Sequence, residues 1–272
     1  MLKITDVDLA AGTKDLLSGA SLHIRPGERI GLVGRNGAGK STLIRALIEN
    51  TFERGSRDLR KGLQLGYLPQ HAVAASDESV WDEVGAGMIR ITALQERLDA
   101  CQAAVERGDT GAIEALTEAE TAFSLAGGYA KEQRIGVVLH GLGFTPEQWS
   151  QPCTELSGGW QMRVALAKLL LAEPDLALLD EPTNHLDLRA RSWLAEHLRT
   201  VPWTVVVVSH DRHLLDRVAS RVVEIRNQRL YSWTGNFSAF LAARELAQEQ
   251  VEAAKAKQDA EIAHLQKFVD RF

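Results

Sequence analysis

The chain has 272 residues and a mass of 29.9 kDa, enough for one large domain or two small ones with a real core. Charged residues make up 25% and hydrophobic residues 45%, which excludes wholesale disorder. The 31 basic and 36 acidic residues leave a net charge of -5, which excludes a protein that coats nucleic acid by bulk charge.

In chain order, Leu2 to Leu9 and Leu16 to Ile24 read as strands with a glycine-containing break between them. Arg25-Pro26-Gly27-Glu28 is a turn signal. Arg29 to Val33 is a short apolar strand that runs into a glycine-rich loop, and Ser41 to Ile48 behind it reads as a helix. Leu63 to Leu68 is a further strand, stopped by Pro69. From Asp82 to Leu142 the chain turns rich in Ala, Glu, Gln and Leu and reads as an inserted antiparallel helical pair, broken at Arg107-Gly108-Asp109 and followed by a third helix from Tyr129 to Leu142. Ile89, Leu94, Leu98 and Cys101 are assigned to its apolar face. The α/β pattern then returns. Leu176 to Leu179 and Val205 to Val208 are continuous apolar runs, as parallel strands covered on both faces require. Helices at Ser157 to Leu171 and Leu188 to Leu198 separate them. A hairpin closes around Asn227-Gln228. From Phe237 the chain is one long helix without proline, whose end carries Ile262, Leu265, Val269 and Phe272 at helical spacing. No apolar run approaches the roughly 18 residues of a membrane helix, and the start Met1 to Asp6 lacks the apolar run of a secretion signal. Cys101 and Cys153 read as unrelated thiols of a reducing compartment, so a cytoplasmic location is expected. Five of the six tryptophans, Trp81, Trp149, Trp193, Trp203 and Trp233, are expected to pack with satisfied N–H groups.

Gly34, Arg35, Asn36, Gly37, Ala38, Gly39, Lys40 and Ser41 match GxxxxGK[ST], with an apolar strand before and a helix after. Glycines there let backbone N–H groups turn toward phosphate oxygens at a helix N-terminus whose dipole favours anions. Lys40 is expected to reach the β- and γ-phosphates, Ser41 to place its hydroxyl on Mg²⁺, and Thr42 to extend the nucleotide contact. Leu176 to Leu179 ends in Asp180-Glu181, a weak signal alone and a strong one beside such a loop. Asp180 is expected to hold Mg²⁺ and Glu181 to polarise the attacking water. Ser157 with Gly158 and Gly159 opens a helix as a candidate N-cap and second anion site. Gln70 follows a strand, where its amide could sense metal and water. His210 follows the Val205 to Val208 strand and is presented at the same edge.

Together these residues resemble the ABC-type ATPase family, over residues 1 to about 240. The resemblance implies an α/β fold: a RecA-like core sheet, an antiparallel β subdomain and an α-helical subdomain. It also implies that two cassettes sandwich ATP between the loop of one and the Ser157-Gly158-Gly159 signature of the other, and this chain contains one cassette. Within the family the chain resembles the ABC-F branch, soluble ribosome-associated ATPases, and its YheS-like subgroup. Trp160 stands where transporter cassettes usually carry Gln, Asp180 to Asp187 has the ABC-F form, and the Gln70 to Leu156 interval is some tens of residues longer than in transporters. The implied organisation is a cassette over residues 1–240 with a helical arm at about 84–128, then the start of an inter-cassette linker over 241–272, cut within that linker. The implied cofactors are ATP and Mg²⁺. The implied partners are the ribosome (rRNA, ribosomal proteins and tRNA, at the tRNA exit site, through arm and linker) and a second cassette or a copy of this one, with no membrane. Glu181, His210 and Gln70 are the implied catalytic residues, and Ser41, Gln70 and Asp180 the implied metal ligands. The alternative is the nucleotide-binding subunit of an ABC transporter. One departure stands out: Leu9 to Thr13 carries no aromatic residue to stack on adenine, which leaves GTP use open.

Overall fold

The computed structural model describes residues 1–71 and 76–269. Its strands are β1 (Leu2–Ala11), β2 (Lys14–Ile24), β3 (Arg29–Gly34), β4 (Arg54–Leu59), β5 (Leu65–Leu68), β6 (Leu176–Asp180), β7 (Thr204–Val208), β8 (Arg221–Arg226) and β9 (Arg229–Thr234). Its helices are α1 (Lys40–Glu49), α2 (Val80–Gly85), α3 (Ile89–Glu106), α4 (Ala112–Leu125), α5 (Lys131–Gly141), α6 (Gly158–Ala172), α7 (Leu188–Thr200), α8 (Arg212–Val218) and α9 (Phe237–Val269).

A six-stranded sheet runs in the order β5-β6-β7-β3-β8-β9, parallel except for β9. A second, antiparallel sheet has the order β2-β1-β4. Every residue of β6 and β7 is buried, because helices or the second sheet cover both faces. The side-chain period of two divides β6 between two cores. Leu176 and Leu178 pack with β1, β2 and α1, while Ala177 and Leu179 pack with α5, α6 and α7. This is the α/β cassette architecture that the sequence implied.

In the register of the sheet Leu32 and Asp180 both pair with Val208, and Leu68 pairs with Leu179. The carboxyl ends of β3, β5, β6 and β7 therefore end together. Ligands of open parallel sheets bind outside that edge, where strand order reverses. The β8–β9 hairpin turns through Asn227 and Gln228, both with positive φ (49° and 60°), as a two-residue turn matched to strand twist requires.

Several expectations need correction. Ile89 is 74% exposed, whereas Ile91 and Leu98 are buried. Nine residues of helix are two and a half turns, so Ile89 and Leu98 face opposite ways. Strand β4 went unread because its sequence, Arg54 to Leu59, is half charged, holds a single large apolar residue and is exposed along nearly its whole length. The short helices α2 and α8 also went unread. Trp149 and Trp233 bury their Nε1 without a partner among the described residues. Both are held by aromatic packing instead, Trp149 on Trp81 at 5.1 Å and Trp233 on Phe240 at 5.9 Å. Cys101 and Cys153 are both free, as expected. The stripe residue Phe272 lies outside the described residues.

Gly141 is among the positions whose packing leaves no room for a side chain. A Cβ on Gly141, at the end of α5, would fall inside the Trp193 indole of α7. Gly141→Ala is expected to destabilise the protein by about 2–4 kcal/mol, because overpacking must move helix or ring. Chemical denaturation measures it, and a change within error would show that α5 and α7 are loosely packed.

Candidate functional site

Strand β3 ends at Gly34 and α1 begins at Lys40, so Gly34 to Gly39 form a loop over the carboxyl edge of the sheet. Two glycines are required sterically. A Cβ on Gly34 would lie 2.9 Å from the Ile225 carbonyl oxygen, and one on Gly39 would lie 3.0 Å from Leu16. Gly39 also has φ 100°, a conformation nearly closed to other residues. Lys40 Nζ donates to the carbonyl oxygens of Gly34 at 3.0 Å and Arg35 at 3.2 Å, which holds an ammonium inside the loop. Lys14 Nζ donates to Gly37 O at 3.0 Å and braces the loop from β2. Ser41 and Thr42 follow in the first turn of α1.

Asp180 and Glu181 lie beside this loop. The Asp180 side chain is 1% exposed, and both its oxygens lack a partner among the described residues. A buried carboxylate without a donor is costly unless a cation faces it. The residues present therefore fit a divalent metal. No group of three or more His, Cys, Asp or Glu is placed for a metal among the described residues, so such an ion would draw on hydroxyl, amide and substrate oxygens. Those are the ligands Mg²⁺ accepts.

Glu181 takes φ 53°, which bends the chain out of β6, while its N–H donates to Val208 O at 2.8 Å. His210 N donates to Glu181 Oε2 at 3.2 Å, and His210 Nε2 lies 3.4 Å from Oε1. Burial pushes the Glu181 carboxyl above its ordinary value and the neighbouring Asp180 adds to the rise, against the pull of the His210 N–H, the His210 ring and Lys40. A raised carboxylate at a sheet edge is poised for proton chemistry. Gln70 lies exposed, two residues beyond β5, at the level of Asp180 and Glu181 by sheet register.

A cavity of 660 Å³ joins the loop to His210. Six cations line it, Lys14, Arg35, Lys40, Arg212, Arg226 and Arg244, against one carboxylate, Glu224. In a chain of net charge -5 this is a strongly anion-attracting concavity. Lys14, Arg212, Glu224, Arg226 and Arg244 escaped the sequence reading. They come from four elements, β2, α8, β8 and α9, and share no common motif that could have marked them.

The structure gathers Gly34 to Ala38 and Lys40 with His210 around one cavity and sets Asp180, Glu181 and Gln70 on the same edge. It does not gather Ser157, Gly158 and Gly159 with them. Ser157 takes the N-cap position of α6 but makes no side-chain cap bond, so its hydroxyl is exposed rather than committed to the helix. Gly159 packs on His185, whose Cβ would lie 3.2 Å from an added Cβ. Arg163 fixes this junction by donating to His185 O at 3.0 and 2.6 Å while its guanidinium stacks on Trp160 at 4.3 Å.

Fold and site together define a phosphate-loop nucleotide-binding cassette. The profile of the family described as ABC transporter matches residues 17–184, and a second of the same description matches residues 223–272. The chain is 37% identical to the probable ATP-binding protein YheS of Escherichia coli K12, over 100% of this chain and 42% of that protein. It is 37% identical to the human ATP-binding cassette sub-family F member 3, over 100% of this chain and 38% of that protein. Among solved structures it resembles an ATP-binding subunit of an ABC transporter with a TM-score of 0.64 at 20% identity, over 86% of this chain and 90% of that one. A cassette solved as a dimer in a post-hydrolysis state with ADP and phosphate gives a TM-score of 0.61 at 20% identity, over 86% of this chain and 98% of that one. The chain belongs to the ABC family of ATP-binding cassettes, and to its F branch. It spans about two fifths of the length of the curated relatives it matches. Among the described residues no helix is long and apolar enough to cross a membrane.

Proposed function

We propose that this cassette binds and hydrolyses ATP, and that in the ATP-bound closed form its protein binds the ribosome at the tRNA exit site and modulates translation. The observation that carries the chemical part is the buried Asp180 carboxylate, without a partner among the described residues, beside Glu181 at the sheet edge where Lys40 sits inside the phosphate loop. Residues 34–42 bind the phosphates, with loop N–H groups and Lys40 offsetting their charge. Mg²⁺, held by Ser41, Asp180 and Gln70, would supply charge neutralisation at the β- and γ-phosphates. Glu181 orients the attacking water and accepts its proton. His210 holds the Glu181 carboxylate and presents its ring toward the γ-phosphate.

The exposed Ser157 hydroxyl and the Gly158 and Gly159 amides stand at a helix N-terminus away from this cavity. They serve the nucleotide of a second cassette, whose own signature completes this site. That cassette lies in the remainder of a longer chain or in a second copy. The cassette occupies residues 1–240, the arm about 84–128 and the linker from 241. Arm and linker make the contacts to rRNA, ribosomal proteins and tRNA, in the cytoplasm. ATP must bind the closed form more tightly than the open one, because equal affinity shifts nothing.

The test is co-sedimentation of the Glu181→Gln protein with ribosomes, with and without ATP. ATP-dependent pelleting is expected. Tight ATP binding without pelleting would overturn the ribosomal part of the reading. The missing adenine platform yields another expectation. Lys14 holds the β1–β2 turn against the loop, so Ala11→Tyr should tighten ATP binding by roughly ten-fold through stacking. Unchanged affinity in calorimetry would place the base elsewhere.

A further inference from the structure

Glu224 is 4% exposed and lies on β8 opposite Val33, the residue before the Gly34 that opens the loop. A carboxylate at that depth needs a cation. Among the described residues its ion-pair partner is Arg244 of α9, with Nε 3.2 Å from Oε1. The pair is poorly aligned, since among the described residues neither Glu224 Oε2 nor Arg244 Nε makes a hydrogen bond. Arg244 sits on a firmly seated stretch of helix. Phe240 is 3% exposed against Trp233, and Ser238 N donates to Asp216 Oδ1 at 2.7 Å. Arg244, Glu224, Gly34 and Lys40 line the same cavity.

A guanidinium carries five donors in a rigid fork. With Nε turned toward Glu224, its two terminal nitrogens remain to meet a second anion. The anion the cavity is built to receive is the phosphate chain of a nucleotide. We propose that Arg244 is a nucleotide-sensing residue: its terminal nitrogens contact the γ-phosphate of bound ATP while Glu224 positions the fork, so that α9 reads the nucleotide state. This rests on the reading above that residues 34–42 hold ATP. By linkage, whatever ATP does to the position of α9, a displacement of α9 does in return to ATP affinity. ADP lacks the γ-phosphate and leaves Arg244 on Glu224 alone.

The test compares ATP and ADP affinities, each with Mg²⁺, in the full chain and in Arg244→Lys and Glu224→Gln, with hydrogen exchange of the amides of residues 237–250 in each nucleotide state. Lysine keeps the charge beside Glu224 but cannot serve two anions as a fork. Arg244→Lys is therefore expected to stay folded and to lose about ten-fold of the preference for ATP over ADP, the scale of one charge-assisted hydrogen bond. Glu224→Gln keeps the side chain's shape but removes the charge that faces the guanidinium, and it is expected to lose the same preference because the fork is no longer positioned. Both variants should lose the ATP-dependent protection of residues 237–250. A purely structural pair would instead leave the ATP-to-ADP ratio and that protection unchanged in both, which would overturn the proposal while nucleotide binding stood. A wild-type chain that binds neither nucleotide would overturn the ATP reading itself.

Discussion

Replacing Glu181 with glutamine is expected to lower ATP turnover about a hundred- to ten-thousand-fold while leaving ATP binding nearly unchanged, since a general base contributes on that scale. The variant keeps shape and hydrogen-bonding reach but accepts no proton. The same substitution should stabilise the fold. Burial raises the Glu181 carboxyl above its unfolded value, so the unfolded state ionises first as pH rises. The resulting penalty is absent below the unfolded value and complete above the folded one. Glu181→Gln should therefore be more stable than the wild type at neutral pH, by about 0.5–2 kcal/mol, the usual scale when a functional site is relieved. The two should converge as pH falls through the ordinary carboxylate range. Denaturation across pH and single-turnover kinetics check the two halves. Turnover at the wild-type rate would remove Glu181 from the mechanism.

Loss of the Lys40 ammonium should have the next largest effect, on binding rather than turnover. Lys40→Ala is expected to weaken Mg²⁺–ATP binding by about ten- to a hundred-fold, since hydrogen bonds to charged groups are worth roughly 1.5–3 kcal/mol. The ammonium also holds the Gly34 and Arg35 carbonyls, so its removal loosens the loop as well as deleting a charge. Titration calorimetry reads the affinity, and circular dichroism confirms that α1 persists. An unchanged affinity would mean that loop amides and the other cavity cations bind the phosphates alone.

Much of the site was legible because its parts are contiguous. Gly34 to Ser41 is a contiguous stretch flanked by strand and helix, and its glycine pattern is readable even though Gly34 and Gly39 also answer to Ile225 and Leu16 from other elements. Asp180 and Glu181 could be read because an apolar run covered on both faces must be a central strand, and its end must lie at the carboxyl edge. Ile89 was misplaced because an apolar residue at a helix start says little about which face will be covered. Strand β4 escaped because an exposed edge strand of mostly polar and charged residues has no periodic apolar signal.

The amino-acid sequence by itself determined the class of this protein, the nucleotide loop and the acidic pair, because each depends on short-range backbone geometry or on the period of one element. Only the tertiary structure decided that Asp180 is buried without a partner among the described residues, that Glu181 is clamped by His210, and that Lys14, Arg212, Arg226 and Arg244 converge on one cavity with Glu224. Those facts depend on burial and on distances between elements far apart in the chain. Electrostatic strength follows from such distances and from the exclusion of water, which no local pattern of residues encodes.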